Sequence, residues 1–183
     1  MKLFLLGAPG SGKTTLIAPL RERLTIPVLD MDEEVKRANG GVWPSLDVKR
    51  ALTKGILRDL SLLDDVVLAY SVLDDEGLEV LRDHGWRLVL LDLAEPQLRE
   101  RLTRREAEQG WTNVEWLPFH LDNISYLRGL AVFDDVVDAA GEPREVVDSL
   151  CALVGTPGWT VRMTGYGGGR QRRSESDRTK RGL

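Results

Sequence analysis

Residues 3–24, LFLLGAPGSGKTTLIAPLRERL, constrain this chain more than any other stretch. An apolar run, Leu3 to Leu6, enters a glycine-rich turn, after which Leu16, Ile17, Leu20 and Leu24 recur at helical spacing. A wholly apolar run of that length suits a parallel strand buried on both faces. Between strand and helix, Gly7 to Thr14 spell GxxxxGK[ST]. In such a loop Gly7, Gly10 and Gly12 are expected to take positive φ and pass close to a polyphosphate, so that successive N–H groups form an anion nest. The helix that starts near Lys13 adds unpaired N-terminal amides and the positive end of its dipole. In this pattern Lys13 reaches the β- and γ-phosphates and the Thr14 hydroxyl ligates Mg²⁺. The plain alternative is a turn that only joins a strand to a helix.

The 183 residues fit one α/β domain with a core large enough to fold alone. Only Cys151 is present, in the apolar stretch VVDSLCALV, where it reads as a small core residue rather than a nucleophile. A lone cysteine makes no intrachain disulfide, which points to a reducing compartment. No apolar run approaches the ~20 residues of a membrane span, and the N-terminus runs directly into the first strand, so a cytoplasmic, membrane-free protein is expected. Charge is uneven: the net −4 divides into −8 over residues 1–164 and +4 over the Gly- and Arg-rich residues 165–183. The expected organisation is a folded domain over residues 1–155 and a flexible basic tail over 156–183. The acidic body excludes a nucleic-acid surface by charge; the tail leaves one open. Nothing in the sequence speaks to oligomeric state.

Further along, Ile26 to Leu29 reads as a second strand whose carboxyl end carries Asp30-Met31-Asp32-Glu33, where open parallel sheets bind ligands. A short helix over Glu33 to Ala38 and a longer one after Pro44 follow, the latter with Leu46, Ala51, Leu52, Ile56, Leu60 and Leu63 on its buried side. This helical insertion is where a substrate site would be built. Val66 to Ala69, Arg87 to Leu91 and Asp134 to Val137 read as further strands; Asp75 to His84, Glu95 to Glu108, Val114 to Leu127 and Pro143 to Leu153 read as helices. Strands alternating with helices imply right-handed βαβ units and a parallel sheet covered on both faces. His84, before Gly85, reads as a helix C-terminal cap. His120, Trp111 and Trp116 sit in an aromatic-rich segment that either touches substrate or packs.

LFLLGAPGSGKTTL, PVLDMDEEV, LVLLDLAEPQLRERLTRR and DDVVDAAGEPREVV together resemble the nucleoside-monophosphate-kinase-like group of P-loop kinases, which includes adenylate, shikimate and gluconate kinases; the similarity covers roughly residues 2–154. The resemblance implies a three-layer P-loop NTPase fold with a five-stranded parallel sheet, a helical substrate insertion, a mobile lid, and ATP with Mg²⁺. It implies nucleotide binding by Gly7, Ala8, Pro9, Gly10, Ser11, Gly12, Lys13, Thr14 and Thr15. It likens Arg101 to a lid arginine stacked on adenine, Arg105 to one on the phosphates, and Ala140 to Pro143, with Gly141 and Pro143, to the adenine-reading loop. Asp30 matches an Asp that holds Mg²⁺ through water, beside Thr14, and Asp32 one that takes the acceptor hydroxyl's proton. Plainer roles are a helix N-cap and first-turn acid for the aspartates, and a solvated face paired with Glu100 and Glu106 for the arginines.

The chain also departs from the pattern. The third strand ends Ala69-Tyr70-Ser71 with no Asp, and neither the Gly-Gly-Gly of shikimate kinases nor a GExxFR sequence is present. The expected function is therefore transfer of the γ-phosphate of ATP to a small molecule, with a hydroxyl favoured and shikimate or gluconate left unassigned. A nucleoside monophosphate acceptor, or an ATPase or nucleic-acid kinase that uses the basic tail, is the alternative.

Overall fold

The computed structural model describes residues 1–110 and 114–155; Trp111 and the basic tail lie outside these. The elements are β1 (Lys2–Leu6), α1 (Lys13–Arg23), β2 (Val28–Asp30), α2 (Met31–Ala38), α3 (Leu46–Ser61), β3 (Val66–Tyr70), α4 (Asp75–Asp83), β4 (Trp86–Asp92), α5 (Glu95–Gln109), α6 (Leu117–Gly129), β5 (Asp135–Asp138) and α7 (Pro143–Gly155), with a 3-10 turn at Val114–Trp116 before α6. The strands form one parallel sheet in the order β2-β3-β1-β4-β5.

β1 is central, between β3 and β4, and Leu3, Phe4, Leu5 and Leu6 are each no more than 1% exposed. Both faces of the strand are thus covered, which is why its sequence shows no alternation. α1 packs against α7, and α3 against α4. The connection from β1 runs toward β2 while the one from β3 runs back past β1 to β4, so the carboxyl ends of β1 and β3 flank the crevice where an open sheet binds its ligand.

Trp86 anchors the opposite end of the sheet. Its ring meets Phe4 edge-on at 6.4 Å, and its Nε1 donates to Ser61 Oγ at 2.9 Å. Ser61 in turn donates to the Leu57 carbonyl at 2.8 Å, so a buried polar pair ties the end of α3 to the start of β4. His84 caps α4 as expected: it is the C-cap residue, with Nδ1 2.8 Å from the Val80 carbonyl.

Three expectations need correction. β2 starts two residues later than Ile26 and includes Asp30, and α2 starts at Met31 rather than Glu33, because Asp30 caps the helix. α6 starts at Leu117, after the 3-10 turn, and runs on to Gly129. On α3 Leu57 and Ser61 are buried and Leu52, Ile56 and Leu60 pack half-buried against the core as expected, whereas Leu46, Ala51 and, just past the helix, Leu63 are exposed. The insertion is an outer layer, so only a narrow stripe of α3 finds a partner.

Candidate active site

The loop between β1 and α1 is shaped by its glycines in two ways. Gly10 and Gly12 take φ of 86° and 94°, which side-chain-bearing residues rarely adopt. Gly7 does not have positive φ, contrary to expectation; a Cβ there would lie 2.5 Å from Ser11 Oγ and 3.2 Å from the Leu91 carbonyl oxygen, so it is needed for space. Gly12 is the N-cap of α1, with no side chain bonded to the first-turn amides and no acid in that turn, so the helix's positive end faces the crevice undiluted. Lys13 Nζ donates to the carbonyls of Gly7 at 2.6 Å and Ala8 at 3.0 Å. Burial lowers its pKa from 10.5 to about 8; Asp30 and Asp32 pull it back up and Arg105 pushes it down.

Asp30 closes β2 and serves two partners. Its Oδ1 accepts the Asp32 amide at 2.9 Å, the N-cap bond of α2, and its Oδ2 accepts the Thr14 hydroxyl at 3.2 Å. Burial raises its pKa; the Asp32 amide and the Thr14 hydroxyl act the other way. The plain helix-cap role and the metal-side role therefore coexist in one carboxylate. Two hard oxygen donors this close suit Mg²⁺, which is commonly held by one or two protein oxygens together with phosphates. No cluster of three His, Cys, Asp or Glu that would hold a metal by itself occurs among the described residues.

Asp32, one residue into α2, projects beyond Asp30 and pairs with Lys49 of α3 at 2.9 Å. The same ammonium lies 4.8 Å from the Trp43 ring centroid and 5.7 Å from that of Tyr70, inside cation–π range. His120 of α6 completes this end, its Nδ1 3.1 Å from the Ser71 carbonyl. Burial lowers its pKa; the Ser71 carbonyl opposes this, and Lys13 and Lys49 add to it.

At the other end, Arg101 of α5 donates to the Gly10 carbonyl at 3.4 Å and the Ala139 carbonyl at 3.2 Å, bridging the phosphate loop to the loop after β5. Arg105 donates to Gln109 at 3.0 Å. Arg101 and Arg105 line the same cavity, as their spacing implies, while Arg99 pairs with Glu95 on the outer face. At Gly141, at the tip of the loop after β5, a Cβ would lie 2.9 Å from Glu145 Oε2, the far end of an exposed side chain that can swing aside.

Asp30, Asp32, Trp43, Lys49, Tyr70, Arg101, Arg105 and His120 border one cavity of about 1180 Å³, with Pro9, Gly10, Ser11, Gly12, Lys13, Thr14 and Thr15 on its floor and Gly141 and Pro143 at one end. That lies just above the ~300–1,000 Å³ usual for ligand pockets. Gly7 and Ala8 shape the loop from behind and do not line the cavity. The sequence reading missed Trp43, Lys49 and Tyr70. The signal for Lys49 was its position on the helical insertion; an isolated Trp in a Gly/Pro loop gave none.

A parallel sheet in this order, with a lysine-bearing phosphate loop after its central strand and an arginine-bearing helix over it, defines a P-loop NTPase fold. No protein-family profile matches the chain. It is 34% identical over 113 residues to the bifunctional shikimate kinase/3-dehydroquinate synthase of Thermotoga maritima, covering 56% of this chain and 22% of that one. It is 30% identical over 122 residues to the shikimate kinase of Dechloromonas aromatica, covering 62% and 66%. It thus spans from about a fifth to two thirds of the length of these relatives. The shikimate kinase of Acinetobacter baumannii in complex with shikimate superposes with a TM-score of 0.67 at 22% identity, over 84% of this chain and 92% of that one. A gluconokinase of Sinorhizobium meliloti superposes with a TM-score of 0.57 at 22% identity, over 82% and 89%. These relatives are kinases of the nucleoside-monophosphate-kinase-like group of P-loop kinases, which the chain resembles in sequence and fold.

Proposed function

We propose that this chain is an ATP-dependent kinase that moves the γ-phosphoryl group of ATP to a hydroxyl of a small molecule. The observation that carries this reading is the pair of carboxylates at the end of β2. Asp30 is turned back to Thr14 at the phosphate loop, and Asp32 is turned outward to Lys49, into the part of the cavity beyond the loop.

Each part has a role in phosphoryl transfer, where positioning and charge neutralisation do most of the catalysis. The loop amides and the α1 N-terminus bind the phosphates, and Lys13 leaves its backbone carbonyls for the β- and γ-oxygens. Arg101 holds the phosphate loop and the 139–143 loop at a fixed separation, with the nucleotide base between Arg101 and Gly141–Pro143. Arg105 supplies a second positive charge on the phosphate side. Thr14 and Asp30 would hold Mg²⁺, which neutralises charge on the β- and γ-phosphate oxygens. Asp32 orients the acceptor hydroxyl and accepts its proton, and Lys49 keeps that carboxylate in place. The α5 segment and the 3-10 turn act as the lid that excludes water.

No helix among the described residues is long and apolar enough to cross a membrane, and a cytoplasmic setting, where ATP is supplied, is part of this reading. The test is a panel of hydroxyl compounds incubated with ATP and Mg²⁺ and followed by ³¹P NMR. A new phosphomonoester resonance that appears in step with ADP supports the proposal. Free phosphate alone, whatever acceptor is added, would contradict it.

A further inference from the structure

Building on the phosphotransferase reading, we infer that the acceptor is an uncharged polyhydroxy compound of the sugar or sugar-alcohol class, and that the site disfavours hydroxy acids and phosphate esters. Its carbon skeleton lies against Trp43 and its reacting hydroxyl lies at Asp32. Around Asp32 the cavity is bordered by Trp43, Lys49, Tyr70 and His120. The two charged groups there, Asp32 and Lys49, are bonded to each other at 2.9 Å. An anionic acceptor drawn to Lys49 would have to take the ammonium from Asp32 and then face that carboxylate as a like charge. The other cations bordering the cavity are Lys13 and three arginines of α5. Lys13 sits on the phosphate-loop carbonyls, and Arg101, Arg104 and Arg105 all come from α5, where Arg101 hangs over that loop and Arg105 acts on Lys13.

Hydroxyl groups suit what remains. His120, neutral by burial, donates through Nδ1 to the Ser71 carbonyl, which leaves Nε2 as an acceptor. Asp32 Oδ2 is a second acceptor, and both call for O–H donors. Trp43 and Trp116 are large aromatic surfaces left 54% and 57% exposed beside the cavity. Flat apolar faces beside hydrogen-bond acceptors match the C–H faces and hydroxyls of a sugar. In the reaction the acceptor oxygen bonds to the γ-phosphorus as the bridge to the β-phosphate breaks. ADP leaves with that bond's electrons, and the hydroxyl proton passes to Asp32.

The experiment uses the full chain and matched acceptors: pentitols, hexitols, inositols and aldohexoses against the aldonic and uronic acids built on the same carbon skeletons. Binding is read by tryptophan fluorescence with ADP and Mg²⁺ present, and turnover by phosphomonoester formation from ATP. The expected result is that some neutral member binds, and that its binding and kcat/KM exceed those of its acid counterpart by about tenfold or more. Lys49→Met should lower turnover of the neutral acceptor and, by leaving Asp32 without its counter-charge, should keep or widen the neutral-to-acid ratio. Equal or better use of the acids, loss of acid use alone in Lys49→Met, or no binding by any neutral member overturns the inference. If neutral members bind selectively but none is phosphorylated, the acceptor class stands and the phosphotransfer reading falls.

Discussion

Nucleotide binding should take up a proton at alkaline pH, and Lys13 sets the size of the effect. In the free protein its buried ammonium rests on two backbone carbonyls, and burial brings its pKa from 10.5 to about 8. A bound polyphosphate replaces those weak acceptors with full negative charge and favours the ammonium, so the pKa returns toward its ordinary value. Near pH 9 about nine-tenths of the free protein's Lys13 is then neutral, while the complex keeps it charged. Linkage converts this into about a tenfold rise in Kd between pH 7 and pH 9, or ~1.4 kcal/mol. Calorimetric titration with ADP and Mg²⁺ in buffers of different ionisation enthalpy measures the protons directly; uptake should approach one per nucleotide near pH 9 and vanish near pH 7. Lys13→Met should bind weakly and show no such dependence. A wild-type Kd that stays flat over this range would refute the argument. The folding linkage follows from the same shift. The unfolded chain holds this proton up to about pH 10.5, so the cost of the buried charge is present below about pH 8 and is relieved as pH rises from 8 to 10.5.

Gly7→Ala should cost about 1–3 kcal/mol in a urea melt, the usual penalty for overpacking, and should weaken nucleotide binding, because Ser11 Oγ and the Leu91 carbonyl occupy the space a Cβ needs; an unchanged melt would mean that the loop yields freely. Ser61→Ala should destabilise by about 1–3 kcal/mol by leaving the buried Trp86 N–H without its acceptor, and should cost much less in a Trp86→Phe background, where that N–H is gone. Hydrogen exchange at amides 102–110 should slow when an ATP analogue and Mg²⁺ saturate the site; unchanged protection there would argue against a lid.

The sheet was legible because its inner strands are unbroken apolar runs, and Leu3 to Leu6 are as buried as such a run requires. The phosphate loop was legible because its chemistry lies in contiguous residues, although the reason for Gly7 was not: it makes room for Ser11 and Leu91, which only the fold brings together. The boundary between β2 and α2 was misjudged because Asp30 ends a strand and caps a helix in one residue, so no turn separates them. Arg101 and Arg105 came from the family resemblance, and their i,i+4 spacing explains why both border the cavity. The acceptor end did not, since Asp32, Trp43, Lys49, Tyr70 and His120 come from separate elements and meet only through packing. On α3 the apolar residues overstated burial, because an outer helix covers the sheet with one stripe only.

The central claim is that a hydroxyl is phosphorylated with Asp32 as the proton acceptor, and the most direct test is Asp32→Asn assayed on the accepted substrate. Removing a general base lowers rates by about 10²-fold or more, so kcat should fall on that scale while the Kd for ATP, set by the phosphate loop and Arg101, changes by no more than about twofold. Asn keeps the size of Asp and loses only the charge paired with Lys49, so the fold should survive. A variant that turns over the substrate at near wild-type kcat, or one whose rate returns on adding Mg²⁺, would contradict the account and leave Asp32 as a helix-terminal acid.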